Sequence, residues 1–255
     1  MEFPQVKEEI VSWGRQTRIH CPNYKAIVNP KTGNTYSIVS NNYQLVKHEE
    51  GIATIEEVLL DVPEFNDNEL KINLINNGAK MQAKWRFPQI EYNIGTDDLV
   101  NPTIELKNSY DTSWQFEVRF GAYRLVCSNG LVIGKQFFYY VKRHTQSLAQ
   151  KKVKQILIQG LENFSDQIGL WKRWADKNTT STEYEHVINN LPLSNKDRKA
   201  IEKEVEKQSE VILPNQKILT LSKWAFYNII TTYITHRVNS QIKRANLETA
   251  LRKIF

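Results

Sequence analysis

The spacing of apolar residues changes once along this chain, near residue 144, and that change constrains the fold most. Before it, short runs alternate apolar with polar residues, as from Trp114 to Phe120, which is typical of strands with one buried face. After it, apolar residues recur every three or four positions from Val153 to Trp171, which predicts one amphipathic helix of about 30 residues. We therefore predict an α+β fold with an N-terminal antiparallel sheet and a helical C-terminal part.

Turn and cap signals divide the two parts further. Asn29 to Gly33 and Asn77-Gly78 separate alternating runs and predict two hairpins, with a short helix over residues 52–60 between them. A polar break at residues 178–182 follows the long helix, and Ser194 is a good N-cap for one of the next helices. These shorter helices are predicted near residues 182–190, 194–210, 220–236 and 240–254. The predicted organisation is a mixed antiparallel sheet region over residues 1–144 and a helical region over residues 145–255, packed against the sheet as one compact unit.

Composition excludes several protein classes. Of the 255 residues, 40% are hydrophobic and 24% are charged, as in ordinary folded proteins. Cys21 and Cys127 are far apart, which argues for a reducing compartment without structural zinc or disulfides. No apolar run reaches the roughly 18 residues that span a bilayer, and the N-terminus lacks a signal-peptide profile. We expect a cytoplasmic protein with no membrane segment, no metal site and no cofactor.

The chain carries none of the usual catalytic motifs. It has no phosphate-binding loop, no dinucleotide-binding glycine turn, no nucleophile elbow and no zinc-binding HExxH helix. Cys127 stands beside the tight turn Asn129-Gly130 and is interpreted as a small core residue. We therefore predict a non-catalytic protein. The alternative enzyme is a nuclease that uses Asp97, Asp98 or Asp111 with a divalent ion.

Positive charge and aromatic residues occur together in two stretches. The chain has a net charge of +6, but residues 1–143 carry −1 and residues 144–255 carry +7. The stretches Lys84 to Phe87 and Phe137 to Lys154 offer cations for phosphates and rings for bases, although solvated strand and helix faces would look the same. The predicted nucleic-acid contacts are Lys84, Arg86, Arg119, Tyr123, Arg124, Lys135, Tyr139, Tyr140, Lys142, Arg143, Lys151, Lys152 and Lys154.

Several segments resemble a known family. They are Tyr36 to Tyr43, Asn108-Ser109-Tyr110-Asp111, Phe120 to Leu131 with the core Arg-Leu-Val-Cys-Ser-Asn-Gly, His144 after a basic step, and Trp224 to His236. The chain is identified from them as similar to the phage/plasmid-like proteins of the DUF932 family, a domain of unknown function. This copy has Ile229-Ile230 where the family would have a small residue and valine. The resemblance implies a setting in phages, plasmids and integrated elements, and it implies no established reaction.

The predicted element order resembles a second group more loosely. A leading helix, a hairpin, a short helix, an antiparallel meander and a long helix resemble the core of Rad-type single-strand annealing proteins, including the Red-beta and Erf proteins of phages. Those proteins lay single-stranded DNA in a basic groove on an oligomeric ring. The likeness implies a single-stranded DNA-binding, strand-annealing recombination protein that forms a homo-oligomer.

The sequence leaves open the function of the protein and the role of two tryptophans. A protein-interaction module, such as a host-takeover or anti-defence factor without nucleic-acid binding, is the alternative function. Trp171 and Trp174 on the long helix fit an oligomer contact or a core position equally well.

Overall fold

The computed structural model describes residues 2–95, 98–124, 129–131, 139–142, 144, 150–209 and 220–255. Its strands are β1 (Lys7–Trp13), β2 (Ile19–Val28), β3 (Thr35–Ser40), β4 (Glu69–Ile75), β5 (Lys80–Arg86), β6 (Tyr92–Asn93), β7 (Leu99–Ser109), β8 (Phe116–Arg124), β9 (Asn129–Leu131) and β10 (Tyr139–Lys142). Its helices are α1 (His48–Leu60), α2 (Gln150–Asp176), α3 (Ser181–Asn190), α4 (Asn195–Gln208), α5 (Lys223–Arg237) and α6 (Gln241–Ile254). The predicted α+β class is confirmed.

The chain forms two compact units. The first comprises Met1–Pro88, Thr103–Phe120 and Phe138–Gly160, and the second comprises Gln89–Pro102, Gly121–Phe137 and Leu161–Phe255. Strands β7 and β8 and helix α2 each contribute residues to both units. The division of the chain at residue 144 stays a prediction.

The larger sheet of the first unit has the strand order β10-β8-β7-β5-β4. One face is apolar, and Met81, Ala83 and Trp85 of β5 are fully buried on it. Helix α1 packs on this face so closely that a Cβ atom at Gly51 would lie 3.1 Å from side-chain atoms of Leu106 and Phe116. A larger residue there would force these side chains to shift by a few tenths of an ångström, so glycine favours the close approach of the helix to the sheet.

A smaller sheet of the order β1-β2-β3 precedes α1. Ile27 and Val39 of this sheet pack with Val6, Tyr43 and Tyr110 in one apolar cluster. The expectation of a leading helix is wrong, because residues 7–13 pair with β2 as strand β1. The β-branched pair Ile10-Val11 favours a strand, and pairing with β2 satisfies the backbone there.

The hairpins, the short helix and the later helices are confirmed with small shifts at their ends. The Asn77-Gly78 turn has positive φ at Asn76, Asn77 and Gly78, as a tight turn requires. Strand β8 begins at Phe116 instead of Trp114. The Ser194 side chain accepts a hydrogen bond from the Asp197 backbone N–H, so Ser194 is the N-cap of α4.

An aromatic core fills the second unit. The ring of Trp171 lies 5.3 Å from that of Trp224, and the ring of Trp174 lies 5.6 Å from that of Tyr227. Trp171 and Trp174 of α2 are both buried, so they occupy core positions. Among the residues described, none of the helices is both long enough and apolar enough to cross a membrane.

Candidate nucleic-acid interface

The second face of the larger sheet is polar and partly exposed. Along β5, the buried Met81, Ala83 and Trp85 alternate with half-exposed polar residues, as the two-residue period of a strand requires. The polar residues of β5 are Lys80, Gln82, Lys84 and Arg86. This surface, made by the outward residues of β4, β5, β7 and β8, is called the open sheet face below.

The strand register places further cations on the open sheet face. Lys84 lies opposite Lys71 of β4 and opposite Glu105 of β7. Gln82 lies opposite Lys107 of β7. Directly opposed residues of an antiparallel pair point to the same side of the sheet. The cations on this face are therefore Lys71, Lys80, Lys84, Arg86, Lys107 and Arg119.

Carboxylates are interspersed with these cations. Glu105 lies 3.9 Å from the Lys107 ammonium and accepts a short hydrogen bond from the Gln82 amide. On β8, Arg119 forms an ion pair with Glu117. Just after β7, Asp111 lies 3.7 Å from the Lys80 ammonium, and Glu69 of β4 lies opposite Arg86 in the strand register. The open sheet face is thus a network of both signs in which cations outnumber carboxylates.

The surroundings of Glu105 on the open sheet face lower its pKa. Burial acts to raise this pKa, but Lys107, Lys84, the Gln82 hydrogen bond and Arg119 together hold it below its usual value. A half-buried carboxylate stays ionised only where nearby positive charge outweighs its loss of hydration. The neighbouring cations and the Gln82 hydrogen bond thus outweigh burial and keep Glu105 ionised at pH 7.

An aromatic ring lies beside this face. The Lys80 ammonium stands 5.2 Å from the ring centre of Trp114, which is partly exposed in the turn between β7 and β8. The Trp114 backbone N–H donates a 3.0 Å hydrogen bond to the Ser109 hydroxyl, which holds the turn in place. The arrangement supplies one fixed ring next to a row of cations.

Three predicted contacts come together on the open sheet face, namely Lys84, Arg86 and Arg119. Their neighbours Lys71, Lys80 and Lys107 were missed by sequence reasoning. The signal that could have found Lys80 is the two-residue period of β5, which puts it on the same face as Lys84. For Lys71 and Lys107 the signal is cross-strand pairing with β5.

The remaining predicted contacts are distributed elsewhere. Tyr140 is buried and its ring lies edge-on to Phe116, which leaves little ring surface for a base to stack on. Lys154 on α2 forms an ion pair with Asp61, and Lys152 is exposed on the same helix. Tyr139 lies opposite Arg119 in the strand register.

Several predicted contacts lie wholly or partly outside the described residues. Lys135 and Arg143 fall outside them, as does Cys127. For Tyr123, Arg124, Lys142 and Lys151 the structure describes the backbone alone.

A buried polar cluster lies on the other side of the same sheet, at the start of α1. The His48 Nδ1 atom lies 3.0 Å from the Asn108 side-chain amide, and its Nε2 atom lies 3.0 Å from the Gly78 carbonyl oxygen. The His48 ring stacks on Tyr110 with centres 3.9 Å apart, and the backbone N–H of His48 donates to the Tyr110 hydroxyl. These contacts tie α1 to the β4–β5 turn and to the end of β7.

Tyr43 and His144 extend this cluster. Their rings stack with centres 5.0 Å apart, and the His144 carbonyl accepts a hydrogen bond from the Gln44 backbone N–H. Burial raises the pKa of Tyr43 and lowers the pKa of His144. The cluster is therefore neutral at pH 7, and its residues hold the first unit together without access to solvent.

Of the acidic residues considered for a nuclease, Asp97 lies outside the described residues, whereas Asp98 and Asp111 have structural partners. Asp98 accepts a 2.6 Å hydrogen bond from the Trp224 indole, and Asp111 accepts a 3.0 Å bond from the Ser113 backbone N–H. Asp98 belongs to the second unit and Asp111 to the first. No group of three or more potential metal ligands occurs among the described residues.

The family assignment rests on most of the chain. The family model described as Domain of unknown function (DUF932) matches residues 35–253. The chain belongs to the DUF932 family. The open sheet face and the buried cluster both lie within the DUF932 match, whereas β1 and β2 precede it. No curated protein and no solved structure matches the chain.

Proposed function

We propose that this DUF932 protein binds single-stranded nucleic acid, DNA in the first place, on the open sheet face and promotes the annealing of complementary strands in a phage or mobile element. The observation that carries the proposal is the set of cations Lys71, Lys84, Arg86 and Arg119 on strands β4, β5 and β8 of one sheet face, with Glu105 of β7 among them. Proteins that bind single strands combine such a positive surface with aromatic rings on which bases stack.

The charge distribution of the first unit favours this side of the sheet for an anion. On the side that carries α1, this helix and its C-cap Asp61 have five acidic residues and no lysine or arginine. A phosphate chain is repelled by that surface and attracted by the open sheet face. Electrostatics therefore orients the protein on a nucleic acid.

Trp114 supports single strands over duplex as the ligand. A base can stack on this ring only when it is unpaired or lies at a strand end, because in a duplex both faces of each base are covered. Lys80 beside the ring would contact the adjoining phosphate. Single strands thus use both kinds of group on this face, whereas a duplex uses the cations alone.

A double charge reversal on the sheet tests the proposal. In Lys71→Glu/Lys84→Glu, the affinity for a labelled single strand should fall about tenfold or more, and the slope of log K against log salt should become shallower by about 1.5. The measurement is fluorescence anisotropy over a range of salt concentrations.

The matched control reverses two exposed lysines of α4, Lys199→Glu/Lys203→Glu, which changes the net charge equally. This control should bind nearly as the wild type does. Equal losses in both variants would assign the binding to net charge and remove the open sheet face from the account.

A second candidate function, a protein-interaction module, is favoured by one observation. Three large apolar side chains of the first hairpin are exposed, namely Ile10, Trp13 and Ile19. Exposed apolar groups of this size mark interaction surfaces.

A further inference from the structure

The β1–β2 hairpin presents an apolar surface to solvent. Ile10 is 75% exposed, Trp13 is 64% exposed and Ile19 is 47% exposed. Trp13 and Ile19 are direct partners in the strand register, so their side chains share one face of the ribbon. Two-stranded ribbons are marginally stable alone, and covering these side chains would stabilise this one.

The tip of this hairpin is positively charged. Residues 10–20 include Arg15 and Arg18, both exposed, and no acidic residue. The nearest carboxylates, Glu8 and Glu9, are paired with Lys25 at 2.8 Å and Lys7 at 2.5 Å. The tip therefore combines exposed apolar side chains with cations that the neighbouring acids do not neutralise.

The outer face of α1 has the complementary character. Glu49, Ala53, Glu56 and Leu60 are exposed and recur at helical spacing, so they form one stripe along the helix. Leu60 is 74% exposed. The stripe thus combines two apolar and two acidic residues, and all five carboxylates of α1 and its C-cap Asp61 are exposed.

Both surfaces are exposed in the structure, so the hairpin does not cover the helix of its own chain. We propose that the tip of the β1–β2 hairpin of one copy docks on the α1 stripe of a second copy. Trp13, Ile19 and Ile10 would cover Leu60 and Ala53, and Arg15 and Arg18 would meet the glutamates at the rim.

This contact joins two different surfaces, so each bound copy still offers one hairpin and one helix. Repetition of such a heterologous contact gives a closed ring or an open filament.

The hairpin strands precede residue 35, where the DUF932 match begins, whereas α1 lies inside that match. The inference does not depend on nucleic-acid binding.

Charge exchange between the two surfaces tests the proposal on the full-length protein. The assembly state is measured by sedimentation velocity over a range of protein concentrations and at low and high salt. The wild type should form species larger than a monomer. Arg15→Glu/Arg18→Glu alone and Glu56→Lys/Glu57→Lys alone should each raise the dissociation constant about tenfold or more, because each places like charges in contact.

Combining the four substitutions in one chain restores opposite charges across the contact, so assembly should return. Mixing the two double variants should restore it as well. Trp13→Ser should weaken assembly without any change of charge, and Glu202→Lys/Glu206→Lys on the exposed side of α4 is the matched control that should assemble normally. Circular dichroism confirms that each variant is folded.

Three results would overturn the proposal: a wild type that stays monomeric at every concentration, an assembly that the double variants leave unchanged, or no recovery in the fourfold variant. Nucleic-acid binding by the same samples is measured separately by anisotropy. A failure of assembly is thereby distinguished from a failure of the proposed function.

Discussion

Burial sets the protonation of His48. Its side chain is fully buried, and this burial lowers its pKa from the usual 6.5 to about 4, although the Gly78 carbonyl acts to raise it and His144 lowers it further. Between these two pKa values the unfolded chain binds a proton that the folded protein does not. The free energy of unfolding must therefore fall as the pH falls from about 6.5 to about 4.

His48→Gln should flatten this dependence. Glutamine can still donate to Gly78 or accept from Asn108, but it does not titrate. At pH 7.5 the variant should lose about 1–3 kcal/mol of stability, and between pH 7.5 and pH 5 its free energy of unfolding should change less than that of the wild type by about 2 kcal/mol. Urea denaturation at the two pH values measures both effects.

His186→Gln is the control, because His186 is exposed on α3. It should keep the wild-type pH dependence. An equally steep pH dependence in His48→Gln would contradict the account of the buried cluster.

At the scale of elements, local patterns predicted most of the structure. The alternation in β5 and the three- and four-residue spacing of α2 each depend on a single stretch of chain, and both elements form where expected. Strand β1 was missed because its local signal is limited to the β-branched pair Ile10-Val11, and its pairing with β2 is not visible in the sequence of either strand alone. Lys71 and Lys107 were missed because their place depends on register across separate strands, which puts Lys71 opposite Lys84 and Lys107 opposite Gln82.

The β4–β5 turn depends on Gly78 in two ways. Gly78 has a φ of 81°, and a Cβ atom at this position would lie 2.7 Å from Cγ of Pro4. Its carbonyl also accepts the His48 hydrogen bond. Gly78→Ala should therefore destabilise the protein by about 2 kcal/mol or more, measured by urea denaturation.

Gly33→Ala is the matched control for the turn. Gly33 has a similar φ of 74°, but nothing lies within 4 Å of the added Cβ atom. Gly33→Ala should lower the free energy of unfolding by only about 1 kcal/mol, the cost of backbone strain. Equal costs at the two positions would show that the contact with Pro4 does not constrain the turn.

At the scale of the molecule, the first unit is polarised. Its open sheet face carries the cations Lys71, Lys84, Arg86 and Arg119, and α1 on the other side of the sheet carries an acidic stripe around Leu60. The net charge of the chain could not reveal this, because the two surfaces nearly cancel within residues 1–143. The proposed functions of the two sides differ accordingly, with nucleic acid on the sheet and a second copy on the helix.

The open sheet face is proposed to bind single-stranded nucleic acid. Fluorescence anisotropy of a labelled single-stranded oligonucleotide about 40 nucleotides long, with the complementary strand added afterwards, tests it most directly. We predict binding at low salt that weakens steeply as salt rises, and faster annealing with the protein than without it. Absence of binding at low salt, or binding that salt leaves unchanged, would contradict the account.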